Sequence, residues 1–287
     1  MPESIEQAFV QQFDTQIRIE SGQSESRLMR AVTDRGTITG ESFTANMLDD
    51  DGSLLDENST RHGDTVWSDV THLTPLATML DYYKALPVDR ADEPKLLANP
   101  SGSYMDLLIR NRNRRCDKII YNASRGTQVL KDGSTEALPS TQKIAHGSAG
   151  MTKAKLIECK KIFRSNEVDE HEGEELFITY DSKTLEDILN DTTLTSADFL
   201  AVKMLQNGDV SGKWLGFTWI PYESIYNDGT TYYNVAWAKS GIQFGSGFVE
   251  GNVQRRGDKK DTMQVSMAAS YGALRTEAKR VVEIAFQ

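Results

Sequence analysis

Cysteine is nearly absent from this sequence. Cys116 and Cys159 are the two in 287 residues, far apart and outside any ligand spacing. That argues against a disulfide framework or a cysteine zinc site and for thiols held reduced in a cytosol. Histidine is as scarce, with four residues. An excess of positive charge is missing too: 32 Lys and Arg stand against 42 Asp and Glu, a net charge of -10 with a pI of about 5.0. Sequence-specific nucleic-acid binders carry a basic face, so tight DNA binding is disfavoured and solubility is favoured. No apolar run approaches the roughly 20 residues of a membrane span. The opening MPESIEQAFVQQF has neither the basic nor the apolar region of a secretory signal. There is no Walker loop, no GxGxxG, no CxxC and no nucleophile elbow. Apolar residues make up only 38% and the mean hydropathy is -0.49. Average usage with glycine counted is about 45–50%. The length allows one large or two ordinary domains, and so lean a chain can complete its burial against copies of itself.

What is present reads as a mixed α and β chain without repeats. Ile5, Phe9, Phe13 and Ile17 recur every four residues and predict a short amphipathic helix that must dock on something. From Arg30 to Leu76 the chain is rich in Thr, Ser, Asp and Gly, which predicts two long, poorly buried strands with an acidic tip near Asp49–Asp56. Such a hairpin has too few apolar residues for its own core and needs a neighbouring surface. A long helix is predicted from Ser101 or Ser103 to a stop at Gly126, with Tyr104, Leu108, Ile119, Ile120 and Ala123 on one stripe. Gln128 to Gly150 reads as an irregular excursion. From Met151 the texture becomes α/β. MTKAKLIECKKIFRSNEV predicts a helix with Thr152 as its cap and Leu156, Cys159 and Phe163 inward. EELFITYD reads as a buried strand. SKTLEDILND reads as a helix capped by Ser182, with Leu185, Ile188 and Leu189 inward. SADFLAVKMLQNG reads as a further helix, KWLGFTWIPYESI as an aromatic strand, and TTYYNVAWAKSGIQFGSGF as short strands. Val281–Phe286 is an apolar strand with small residues (Ala268, Ala269, Ser270, Gly272, Ala273) before it.

Few residues suggest chemistry. LDDDGSLLDEN has the glycine of a calcium loop at Gly52 with Asp49 and Asp51 at ligand positions, but Met47 and Asn58 then fall where ligands belong. His62, Asp64 and His72 share a hairpin without a zinc spacing. GSGFVEG (Gly245–Gly251) lacks the lysine of a phosphate loop and any helix signal after it. The sharpest charge feature is RNRNRR, with Arg110, Arg112, Arg114 and Arg115. Helical residues rotate by about 100°, so the four cannot face one phosphate track. They are either a solvated helix face or partners for acids on a neighbouring subunit. QRRGDKK, with Arg255, Arg256, Lys259 and Lys260, is read the same way. No catalytic, cofactor-binding or metal residue is assigned.

In order, an arm, a long hairpin, a Pro-flanked helix with RCDKII, an α/β region opened by GMTKAKL, the stretch SADFLAVKMLQNGDVSGKWLGFTWI and a terminal YGALRTEAKRVVEI resemble the major capsid proteins of tailed bacteriophages with the Hong Kong 97 fold. The resemblance covers nearly the whole chain, and none of its motifs does chemistry. It implies an α+β fold with an N-arm (1–33), an extended E-loop (34–80) over a neighbouring subunit, a peripheral domain with a spine helix (81–126), and an axial α/β domain (127–252). A final segment (253–287) would return to the peripheral domain's sheet. It implies a structural protein, not an enzyme, that assembles with itself as hexamers and pentamers into a virion shell in the host cytoplasm. Partners would be a portal protein and separate scaffolding or decoration proteins, with double-stranded DNA held non-specifically at most, no membrane and no cofactor. Asp49, Asp50, Asp51 and Asp56 are the candidate acids for inter-subunit contacts, and Arg110, Arg112, Arg114, Arg115, Arg255 and Arg256 the candidate bases. An encapsulin-like cellular shell and a cytosolic metal enzyme are the alternatives. The terminal strand is expected to bury Val282, Ile284 and Phe286 on one face and to turn Glu283 to the other, toward solvent or a neighbour.

Overall fold

The computed structural model describes residues 19–48, 67, 69–90, 92, 101–190 and 213–287. The expected N-terminal helix, the acidic tip Asp49–Asp56 and the helix of Ser196–Gly208 lie outside the described residues. In chain order the first strands are β1 (Thr33–Thr37), β2 (Ser42–Thr44), β3 (Met47–Leu48), β4 (His72–Leu73), β5 (Pro75–Thr78) and β6 (Leu80–Val88). Helix α1 (Ser101–Arg125) precedes β7 (Gln128–Leu130), β8 (Thr135–Glu136) and β9 (Lys143–Ile144). Then come α2 (Lys153–Ser165), β10 (Leu176–Tyr180), α3 (Ser182–Asn190), β11 (Lys213–Trp214), β12 (Phe217–Pro221), β13 (Tyr226–Asn227) and β14 (Tyr232–Ala238). Two long strands, β15 (Ile242–Arg256) and β16 (Thr262–Arg275), and the final β17 (Val281–Phe286) complete the chain.

The helices follow their sequence signals, but Leu189 of α3 was expected inward and is exposed. α1 buries Leu108, Cys116 and Ile120, spaced by roughly whole turns, with Tyr121 beside them. It stops at Gly126, whose N–H donates to the Asn122 carbonyl at 2.8 Å. A Cβ at Gly126 would meet that oxygen at 2.7 Å, which explains the glycine. α2 buries Leu156, Cys159 and Phe163 as its periodicity predicts. α3 is capped differently from the expectation. The Asp181 carboxylate, not Ser182, accepts from the Thr184 N–H at 2.9 Å and its hydroxyl at 2.6 Å. A charged acceptor at that position outcompetes a hydroxyl, and Ser182 instead donates to Glu223.

One seven-stranded sheet runs β11-β12-β10-β14-β17-β9, with β13 on β14. β10 is buried on both faces, parallel to β12 and antiparallel to β14. With α2 and α3 it encloses the main core, including Leu156, Phe163, Ile178, Ile188, Phe217, Ile284 and Phe286. Two sequence expectations change here. KWLGFTWIP is a hairpin, not one strand: Leu215 and Gly216 both take positive φ (53° and 81°), the two-residue turn that matches strand twist. The supposed irregular excursion contributes β7, β8 and β9. Their apolar content is too low to signal strands; pairing partners distant in sequence fix them.

The described ends of the Asp34–Leu80 hairpin are antiparallel as expected, β2 on β5 and β3 on β4. Its base nevertheless belongs to its own chain. β5 pairs with β7 in the four-stranded sheet β2-β5-β7-β8, and Phe43, Ala45 and Ala77 pack with Leu274. The expectation that the hairpin rests mainly on other subunits therefore fails at its base. The small residues before the terminal strand do allow close approach: a Cβ on Gly272 would meet Met79 Sδ at 3.0 Å and the Thr78 carbonyl at 3.1 Å.

The described chain divides into two compact units. One comprises the described parts of Met1–Glu25, Asp81–Arg114 and Phe248–Ala269. The other comprises those of Ser26–Leu80, Arg115–Gly247 and Ser270–Gln287. The return of 253–287 to one sheet is corrected. β16 lies beside β6 in the sheet β1-β15-β16-β6, but β17 inserts between β14 and β9. Its register with β14 runs from Tyr232–Phe286 to Trp237–Val281. All six residues of β17 are buried, because in a sheet covered on both faces the alternation of side chains no longer alternates exposure.

Candidate functional site

The basic candidates fan around their helix as its rotation requires. Arg110 and Arg112 are half-buried on α1, and Arg114 and Arg115 are exposed. Arg112 donates from Nε and Nη2 to Asn113 Oδ1 at 3.2 and 2.9 Å, and Asn113 Nδ2 donates to the Ser24 carbonyl at 2.8 Å. Arg255 is exposed at the end of β15. Arg256 forks onto Asp258 at 2.7 and 2.6 Å and reaches Gln264 at 3.2 Å. The guanidinium beside Asp258 holds its carboxyl down at about 2. The acidic candidates Asp49, Asp50, Asp51 and Asp56 lie outside the described residues. His62 and Asp64 lie outside them too, while His72 is exposed on β4. Among the described residues no group of three His, Cys, Asp or Glu can hold a metal ion.

The functional chemistry that is built is structural, and sequence reasoning missed it. Asp117 is buried at the centre of α1. Its Oδ1 accepts from Ser26 Oγ at 2.6 Å and the Leu28 N–H at 3.1 Å, and its Oδ2 from the Arg27 N–H at 3.1 Å. Three donors on one carboxylate pin residues 26–28, and the Trp237 indole N–H donates to the Ala31 carbonyl at 2.8 Å. At the end of α1, Arg125 pairs with Glu283 of β17 at 2.9 Å, with its guanidinium over the rings of Tyr226 (4.2 Å) and Tyr233 (4.8 Å). Glu283 is thus buried and paired rather than turned to solvent or a neighbour. Tyr121 closes the cluster: its hydroxyl donates to the Tyr233 carbonyl at 2.5 Å and accepts from the Tyr226 N–H at 2.9 Å. Burial pushes that hydroxyl up to about 12. Arg275 is fully buried and donates to the Ser124, Gly126 and Glu136 carbonyls at 3.2, 2.9 and 3.2 Å. Its charge sits on the carbonyl end of α1, where the helix dipole favours a cation. The signal available in the sequence was a charge on an otherwise apolar stripe: Asp117 lies one turn before Tyr121, and Lys155 one turn before Cys159.

The comparisons with known proteins concern the whole chain. A family model for phage capsid proteins matches residues 5–287. No curated protein matches. Among solved structures, one from Mycobacterium phage Che8 superposes with a TM-score of 0.72 at 12% identity, covering 96% of this chain and 97% of that one. The capsid asymmetric unit of cyanophage Pam1 gives 0.71 at 11% identity, covering 98% and 96%. The head of Helicobacter pylori bacteriophage KHP40 gives 0.71 at 11% identity, covering 99% and 96%. At such identities the likeness speaks for the fold, and the mixed α+β architecture with few helices and several sheets agrees with it.

Proposed function

The chain belongs to the phage capsid protein family, and we propose that it is a major capsid protein of the tailed-phage type that closes the virion shell as hexamers and pentamers. The observation that carries this reading is the family match across nearly the full length. It disfavours both the encapsulin-like compartment and the metal enzyme. In this reading residues 1–33 act as an N-arm and the hairpin beyond its base as an E-loop over a neighbour. Residues 81–126 form the peripheral domain with α1 as its spine, and 127–252 form the axial domain. A portal protein and separate scaffolding or decoration proteins would complete the particle in the host cytoplasm, with DNA held non-specifically at most. An acidic shell protein suits that last role, since repulsion of phosphate keeps the packaged duplex from adhering.

The inter-subunit contacts proposed are Asp49, Asp50, Asp51 and Asp56 on one subunit against Arg110, Arg112, Arg114 and Arg115, or Arg255 and Arg256, on the next. Arg256 already has Asp258 as a partner within its own subunit. Exposed pairs contribute about 0–1 kcal/mol each, so only their repetition over a shell is effective. Electron microscopy of the purified protein under assembly conditions tests the reading directly. Closed particles with hexameric and pentameric capsomers are expected; stable monomers or dimers alone would refute it. Reversing the four acids should weaken salt-dependent assembly, and reversing the arginines as well should partly restore it.

A further inference from the structure

Lys155 stands within GMTKAKL, and the sequence expectations gave it no role. It is 8% exposed on the inward side of α2. Its Nζ meets four backbone carbonyls: His146 at 2.7 Å, Ala149 at 2.8 Å, Gly150 at 3.0 Å and Ala285 at 3.1 Å. All four groups only accept. A neutral amine would turn its lone pair on two of them, whereas an ammonium offers three donors to the set. The cationic form is the one that fits.

The cage is made by backbone conformation. Gly147 and Ser148 both take positive φ (57° and 52°), which turns the carbonyls of the 146–150 loop toward one point. Ser148 holds this turn through its N–H, which donates to His146 Nδ1 at 3.0 Å. The Ala149 oxygen also accepts from the Gln287 N–H at 3.1 Å, and Ala285 supplies the fourth acceptor from β17. Asp187 stands near without closing the cage; it accepts from the Met151 N–H at 2.7 Å and pairs with Lys183 at 3.2 Å. Converging carbonyls without a carboxylate among them are the ligand set of a monovalent cation, as in potassium filters.

We infer that the 146–150 turn and the Ala285 carbonyl form a binding cage for a small monovalent cation of the ammonium or potassium class, occupied in this chain by the tethered ammonium of Lys155. The cage joins the loop before α2, the first turn of α2 and the end of β17, so its occupancy sets how the last strand docks.

The test is chemical rescue in the full-length chain. Lys155→Ala should lower the melting temperature by roughly 5–10 °C, since the His146, Ala149, Gly150 and Ala285 carbonyls lose the Nζ donor in a largely buried setting. Ammonium, methylammonium or potassium chloride should recover at least half of that loss, while lithium or tetramethylammonium chloride at equal ionic strength should not, and the wild type should respond equally to all five. Lys155→Met, which replaces the stem without the charge, should be nearly as unstable as the alanine variant. Should Lys155→Ala not fold alone, its soluble refolding yield takes the place of the melting temperature, with the same salt selectivity expected. A methionine variant as stable as wild type would overturn the inference. Rescue absent in every salt, or equal in all of them, would overturn it as well.

Discussion

Deleting residues 281–287 should leave a chain that does not fold. Val281, Val282, Ile284 and Phe286 are each 0% exposed in β17. Full burial of such a side chain is worth about 1.5–3 kcal/mol, so the four together contribute roughly 6–12 kcal/mol as an upper estimate. The net stability of a domain is about 5–15 kcal/mol. The deletion would also separate β14 from β9, strip Arg125 of Glu283 and remove one acceptor from the Lys155 cage. A graded version is Phe286→Ala. The ring is fully buried and stacks on Tyr232 with centroids 5.5 Å apart, so about 3–5 kcal/mol should be lost. Solubility on expression and the cooperativity of thermal unfolding by circular dichroism read both variants. The truncated chain should be insoluble or lack a transition, and Phe286→Ala should melt well below wild type. A soluble truncation melting cooperatively at the wild-type temperature would refute the assignment of β17 to the core sheet.

Asp117→Asn replaces an acceptor-only group with one that turns donors toward Ser26, Arg27 or Leu28; about 2–3 kcal/mol should be lost, with earlier proteolysis of residues 19–31, and unchanged cleavage would count against the anchor. Arg125→Ala should cost about 3–5 kcal/mol, because it leaves Glu283 buried without its counter-charge, and Glu283→Gln should cost less, because Arg125 is half-buried; the double variant should cost clearly less than their sum, and strict additivity would sink the pairing. Tyr121 ionises near 12 in the fold but near 10 when unfolded, so the stability it contributes is complete below pH 10 and is lost as pH rises from about 10 toward 12. Denaturant unfolding at pH 9 and pH 11 should show this decline, Tyr121→Phe should reduce it, and an identical decline in both proteins would exclude Tyr121 as its source. Tyr222, raised in the same direction by burial, accounts for a remainder in the variant.

Local signals carried much of the architecture. α1 was legible from its serines at one end, Gly126 at the other and the turn-spaced apolar residues between, because helix periodicity and termination are properties of neighbouring residues. α2 and β10 were legible for the same reason, through Leu156, Cys159 and Phe163 and through an unbroken apolar run. The absence of any motif with catalytic spacing, together with the order of soft segments, pointed to a structural protein. The tertiary structure alone decided what depends on residues distant in the chain. Nothing near Gln128 or Lys143 announces a strand; β7 and β9 exist because β5 and β17 offer them free edges. Nothing in Val281–Phe286 names its partner sheet, since an apolar strand fits any buried gap and the register with β14 selects one. Glu283 was assigned by alternation to the open side, yet that side is closed by α1, whose Arg125 reaches it at 2.9 Å. Asp117, Lys155 and Arg275 were visible as charges on apolar faces, but their roles rest on backbone groups supplied from elsewhere in the chain. A buried charge is stable only where the fold converges its partners, and that convergence is a three-dimensional fact that no sequence window contains.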